Sequence, residues 1–412
     1  MKVLFFVYKF PVLSETFILN QIAYFINQGC DVKIVSVFPG DPGIEHKVIK
    51  EFDLLNKTQY LLPDEPQARV ARVFGRLKSL IPALLSSSAI KSINAKKYGY
   101  YARTLILPQI LSRNKKPIQT DVIVSHFGTT AALANQLRNL GFLRGRLAAV
   151  FHGNDISQTR ILTLFNNDYK KLFENADFIL PVSQLWANKI KSLSGHKNNI
   201  HVIRMGIGVN KFPFKPRATL NSPIQLLSIA RLTEKKGISV AINACLRLKQ
   251  QNIDFHYTII GDGPLRKTLE AQVANLNLGD NIVFLGAQTQ ETVTEYLNQS
   301  DVFLLPSVTA ADGDMEGIPV ALMEAMAIGI PVISTFHSGI PELIEDRVSG
   351  FLVNENDATS IANVVREIIE DPGVLTGICH NAKQKIDNEF DQEKSYSKML
   401  TILSSPPLNM NR

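Results

Sequence analysis

The chain of 412 residues has no uninterrupted apolar run near the ~20 residues that a helix needs to cross a bilayer. Its opening stretch, MKVLFFVYKFPVLSETF, is broken by Lys9, Pro11 and Glu15, lacks an export-signal pattern, and reads as a first strand. Cysteine is scarce: Cys30, Cys245 and Cys379 stand far apart, which argues against both a disulfide framework and a C-x-x-C metal site. Together these absences predict a cytoplasmic protein. With 45% apolar and 20% charged residues the composition is that of a folded enzyme and excludes disorder.

Acidic residues are missing altogether from 67–120, where eleven Lys or Arg account for much of the net charge of +7. Within that stretch VFGRLKSLIPALLSSSAI mixes basic and apolar residues, and Tyr98, Tyr100 and Tyr101 follow. Two readings stay open: an amphipathic surface lying on anionic lipid, or a helical insertion with its apolar side in the core. No nucleic-acid recognition motif accompanies the charge, so no nucleic acid partner is expected.

At this length more than one hydrophobic core is expected. Short apolar runs alternate with helical patterns throughout, the signature of β-α units and parallel sheets. Strands are predicted at 3–8, 32–38, 122–126, 147–151, 178–182 and 202–204, then at 225–230, 256–260, 282–285, 302–305, 331–334 and 350–353. Ser14 is the predicted N-cap of a first helix over 15–27, and 358–370 is the last β-α helix. The proline-bearing stretch 206–222 reads as a linker. The fold class is therefore α/β, with two doubly wound domains; ligands of such sheets bind at the carboxyl ends of strands.

Chemistry-bearing residues fall at those ends. Glu316 and Glu324 stand eight apart around Gly317, Ile318, Pro319 and Val320, in DMEGIPVALMEA. If 317–328 is helical, eight residues span about 12 Å, the scale of a sugar nucleotide, and the first turn offers free N–H groups to an anion. A diphosphate could sit there, with one carboxylate at each end accepting hydroxyl hydrogen bonds from the hexose and the ribose. Arg231 and Lys236, in ARLTEKKG, place two cations after a strand, which suits a departing diphosphate. Gly261 and Gly263, in GDG, allow a tight turn but lack the full dinucleotide fingerprint. His152 and Asp155 follow another strand in FHGND, where either residue could also serve as a cap. His126, in SHFGTT, and the group Pro11, Ser14, Glu15 and Thr16 occupy similar places. Asp312 and Asp314 form a D-x-D that is expected to be a loop brace, with no essential metal.

The E-x7-E pattern between two strands, the R-L-x-x-x-K-G element and the H-G turn resemble glycosyltransferase family 4. The wording around them, with F-P-x-x-S-E-T-F in place of a glycine-rich loop, is similar to the exopolysaccharide subgroup of colanic acid and amylovoran type. The resemblance implies the GT-B architecture: an acceptor-binding Rossmann-like domain at 1–206, a nucleotide-sugar domain at 207–382 facing it across a cleft, and a C-terminal helix at 383–403 crossing back. It implies retaining transfer of a hexose from a UDP- or GDP-hexose to a lipid-linked oligosaccharide, in exopolysaccharide, capsule or lipopolysaccharide synthesis, with peripheral contact at the inner membrane through 67–120. It gives His152, Glu316, Arg231 and Lys236 catalytic roles and assigns the donor to Arg231, Lys236, Gly317, Ile318, Pro319, Val320 and Glu324, with Gly261 and Gly263 nearby. No Ser-His-Asp or paired-carboxylate glycosidase pattern competes. The alternatives are a sugar-nucleotide epimerase of the same fold, which needs no acceptor, and an inactive nucleotide-binding protein.

Overall fold

A computed structural model describes residues 1–12, 15–41, 43, 46–66, 68–78, 87–195 and 199–406. The expected cap Ser14 lies outside them, as do 67 and 79–86 of the basic stretch. The chain divides into two compact units: Met1–Val182 with Trp186–Ile203 and the residues from Tyr396 onward, and Ser183–Leu185 with Arg204–Ser395.

The first unit is built on six strands, β1 (Lys2–Phe10), β2 (Asp31–Pro39), β3 (Thr58–Tyr60), β4 (Ile118–His126), β5 (Leu143–Phe151) and β6 (Phe178–Pro181). They lie in the order β3-β2-β1-β4-β5-β6, all parallel. Val3 of central β1 faces Val32 on one side and Val122 on the other. Both faces of β1 are covered, which is why VLFFV is a continuous apolar run and not an alternating one. The final helix, Gln392–Ser404, contributes Met399 and Leu403 to this unit's core.

The second unit carries β7 (Ile224–Ile229), β8 (Phe255–Ile260), β9 (Ile282–Gly286), β10 (Val302–Leu304), β11 (Val332–Thr335) and β12 (Phe351–Val353). Their order is β12-β11-β10-β7-β8-β9, again all parallel. In each unit the first and fourth strands are neighbours. The chain therefore leaves the sheet in opposite directions after β1 and β4, and after β7 and β10. That divergence opens a crevice at the carboxyl ends of those strands.

Four expectations change. The run 202–204 is not a strand; His201 and Ile203 donate backbone hydrogen bonds of 2.9 and 3.0 Å to Ile179 and Pro181 and merely follow the edge of β6. Thr58–Tyr60 is a strand that its short, partly exposed TQY sequence did not announce. The stretch 383–403 is two helices, Val374–Glu389 and Gln392–Ser404, because Ile207 bonds to Phe390 and Gln392 at 2.9 and 3.0 Å and breaks the run there. The helix expected over 317–328 begins only at Val320.

The basic stretch divides in character. Its helix Ile106–Arg113 is core, with every residue from Ile106 to Ser112 buried, and Tyr98 and Tyr101 are buried too. The helix Arg69–Lys78 differs: Val70 is 83% and Phe74 71% exposed, and Val73 and Leu77 are exposed beside them. Among the described residues no helix is long and apolar enough to cross a membrane.

Candidate active site

In the second unit the loops after β7, β10, β11 and β12 bring the acidic and basic residues together. Lys236 Nζ lies 2.8 Å from Glu316 Oε1 in a largely buried ion pair. The pairing depends on Gly237, whose left-handed φ of 66° lets the β7 loop lie against the end of β10. A side-chain carbon there would sit 1.8 Å from the Pro306 carbonyl oxygen. Lys235 makes a second pair, 3.1 Å from Asp314 Oδ2, and Asp312 accepts the Asp314 N–H at 3.0 Å. The D-x-D is thus engaged in bracing its own loop. Arg231 is exposed at the end of β7.

Glu316 is 6% exposed. Burial alone would push its carboxyl up, but the charges of Lys236 and Lys235 and the Lys236 hydrogen bond more than offset this and hold it below the usual range. Glu324 has the opposite balance: burial raises it to about 7. The two glutamates sit in different electrostatic settings although the sequence presents them as a matched pair.

Helix Val320–Ile328 has Pro319 as its N-cap, at φ −66° and ψ 124°. Gly317, Ile318 and Pro319 are therefore an extended lead-in, and the first-turn N–H groups begin with Val320. The 12 Å expectation for the Glu316 to Glu324 span assumed a helix from Gly317, whereas a rise of about 1.5 Å per residue applies only from Val320 onward. The helix ends at Gly329 in the left-handed conformation, φ 96°.

Gly261 and Gly263 have a packing role that sequence reasoning missed. A side-chain carbon would come within 1.9 Å of the Ala230 carbonyl oxygen at Gly261, and within 2.5 Å of that of Leu232 at Gly263. They let the β8 loop close onto the segment that carries Arg231, with Leu232 N–H donating to the Asp262 carbonyl at 2.9 Å.

In the first unit His152 follows β5, and its ring lies 4.9 Å from that of Phe17 and 4.7 Å from that of Phe127. Gln21 Oε1 accepts from His126 Nε2 at 2.8 Å, which leaves His126 Nδ1 to accept the His152 Nε2 proton at 3.0 Å. Burial lowers His152 to about 3, so it is a neutral imidazole at physiological pH. His126 is buried and acts on the tautomer of its neighbour. Asp155 is a brace: its carboxylate accepts from the N–H groups of Gly128 at 2.7 Å and of His152 and Gly153 at 3.0 Å each.

Beside this turn a cavity of about 390 Å³ is lined by Tyr8, Glu15, Tyr100, Tyr101, Phe127 and Phe165 among others. Glu15 comes from the FPVLSETF stretch, with Pro11 just beyond β1 and Thr16 opening the helix Thr16–Asn27; burial and the nearby Asp41 charge raise it to about 7. Tyr8 and Phe165 escaped sequence reasoning because a strand tyrosine and a helix phenylalanine give no local signal apart from core packing.

Residues 211–387 match the family described as Glycosyl transferases group 1, and residues 14–211 match Glycosyltransferase Family 4. The amylovoran biosynthesis glycosyltransferase AmsK of Erwinia amylovora is 46% identical over 98% of this chain and 99% of its own. A GDP-mannose-dependent alpha-(1-6)-phosphatidylinositol monomannoside mannosyltransferase of Mycolicibacterium smegmatis is 27% identical over 68% of this chain and 77% of its own. Among solved structures, Anabaena Alr3699/HepE in complex with UDP aligns with a TM-score of 0.71 at 19% identity, covering 98% of this chain and 100% of that one. That likeness shows the GT-B fold. With near-complete coverage at such identity, the chain belongs to glycosyltransferase family 4, alongside the amylovoran biosynthesis enzyme, and is a glycosyltransferase of exopolysaccharide biosynthesis.

Proposed function

We propose that the protein is a retaining hexosyltransferase that moves a hexose from a UDP- or GDP-hexose to a lipid-linked oligosaccharide. The observation that carries this reading is the buried Lys236–Glu316 pair beside the start of helix Val320–Ile328. Lys236 and the exposed Arg231 neutralise the diphosphate, and the N–H groups from Val320 onward bind it at the positive end of the helix dipole. Glu316 accepts a hydrogen bond from a hexose hydroxyl, and Glu324 from the ribose. The second unit is then the donor domain and the first the acceptor domain. His152 of the first unit is its catalytic group, a neutral imidazole presented to the hexose.

In this reading the acceptor hydroxyl attacks the anomeric carbon on the face from which the nucleotide diphosphate leaves. The C–O bond to the diphosphate breaks as the new one forms, and the hydroxyl proton passes to the departing phosphate oxygen. The anomeric configuration is kept without an enzyme nucleophile. HepE has been solved with UDP and with UDP-glucose, and the mycobacterial relative is GDP-mannose-dependent, which supports these two donor classes.

The helix Arg69–Lys78 is the proposed membrane contact. Val70, Val73, Phe74 and Leu77 follow the i, i+3, i+4, i+7 spacing of one helical face, with Arg72 and Lys78 on the same helix.

Melting the purified protein with UDP, GDP, ADP and their hexose conjugates tests the donor assignment, since a ligand that binds only the folded state raises the melting temperature. A shift confined to the UDP or the GDP family supports the proposal; no shift from either refutes it.

A further inference from the structure

The loops after β10, β11 and β12 build a hydrogen-bonded chain that ends on the main chain of Glu316. Glu355, just beyond β12, accepts the Thr309 N–H at 2.8 Å on Oε2 and the Thr309 hydroxyl at 3.2 Å on Oε1. His337, fully buried just beyond β11, lies 2.6 Å from Glu355 Oε1 through Nδ1. Its Nε2 lies 3.1 Å from the Glu316 backbone nitrogen. A backbone N–H can only donate, so Nε2 accepts and the ring proton sits on Nδ1, directed at the carboxylate. The next residue, Ser338, donates its hydroxyl to the Glu316 carbonyl oxygen at 2.5 Å. Gly339 then packs so closely that a side-chain carbon would lie 2.9 Å from the Gly317 carbonyl oxygen.

We propose that His337 and Glu355 are positioning residues: together with Ser338 they clamp both polar groups of the Glu316 peptide and so set the direction in which its carboxylate leaves toward Lys236. The inference rests on the proposed role of Glu316 in holding the donor sugar. A carboxylate whose contacts matter in the transition state must be held to a fraction of an ångström, and a fixed main chain is what holds it.

Glu355→Gln tests the clamp. The Thr309 N–H is a fixed donor, so the new amide must place its oxygen there and its NH2 toward His337. His337 Nδ1 would then have to accept, the proton would move to Nε2, and donor would face donor at the Glu316 N–H. Nitrogen NMR on isotope-labelled histidine reads the tautomer directly, with the His337 signal identified by its loss in His337→Gln. The wild-type protein is expected to carry the proton on Nδ1 and Glu355→Gln to carry it on Nε2. With the tautomer change, kcat should fall about 10- to 100-fold while KM for the donor changes little. A wild-type proton on Nε2, or a Glu355→Gln variant with wild-type kcat, overturns the proposal. The tautomer is read without turnover, so a clamp that fails is distinguishable from a transferase reading that fails.

Discussion

The Lys236–Glu316 pair and Glu324 make opposite demands on pH. Glu316 is held below its ordinary range in the folded protein, so its contribution to stability is present above the unfolded value of about 4.3 and is lost as pH falls through the folded value. Glu324 is raised to about 7, so the folded state keeps it neutral where the unfolded chain ionises it, and stability declines as pH rises from about 4.3 toward 7. The ligand-free Glu324→Gln variant should therefore melt higher than wild type at about pH 8, with the gap closing toward about pH 5. A pH-independent difference would show that burial of the acid is not the cause. Asp155 permits a second prediction: its two oxygens serve three N–H donors, and an asparagine would turn an NH2 toward one of them. Asp155→Asn should cost about 1–3 kcal/mol in urea unfolding.

Between strands the decisive feature is how closely loops approach one another. Gly237 combines a φ of 66° with a Pro306 carbonyl oxygen 1.8 Å from where a side-chain carbon would lie. Gly237→Ala should cost about 2 kcal/mol or more, because strain adds to a clash with main chain. Urea melts measure it, and a variant as stable as wild type would contradict the packing. At this scale the sequence was readable where a period or a spacing carried the signal. The buried runs VLFFV and VFLL announced their strands, and R-L-x-x-x-K-G lies, as read, in the loop that follows β7. It was unreadable where two distant loops meet. Nothing local to Lys236 or Glu316 says that they pair, and nothing local to His337 says that it bonds to the Glu316 peptide. The GIP turn misled on the helix start, because proline at the N-cap is extended and the helix begins after it.

At the scale of the whole molecule, each unit repeats one doubly wound plan with its own core, and in the second unit the paired Lys236 and Glu316 lie in the loops after β7 and β10, where that plan reverses direction. The basic stretch shows why charge counting alone left two readings open: the helix Ile106–Arg113 is buried, as the insertion reading expects, while the helix Arg69–Lys78 exposes an apolar face. Exposed residues can be changed without touching a core. Val73→Asp with Phe74→Asp should abolish sedimentation with vesicles containing anionic phosphatidylglycerol while leaving the melting temperature within a degree or so. Undiminished sedimentation would remove this helix as the contact.

In the proposed reaction Glu316 acts on the donor sugar and does more than pair with Lys236. The most direct measurement is release of nucleotide from the UDP- or GDP-hexose that stabilises the protein, compared between wild type and Glu316→Gln, with nucleotide affinity measured in parallel by calorimetry. Turnover is expected to fall about 100-fold or more while the dissociation constant for the free nucleotide moves by no more than a few-fold. Turnover equal to wild type would contradict it.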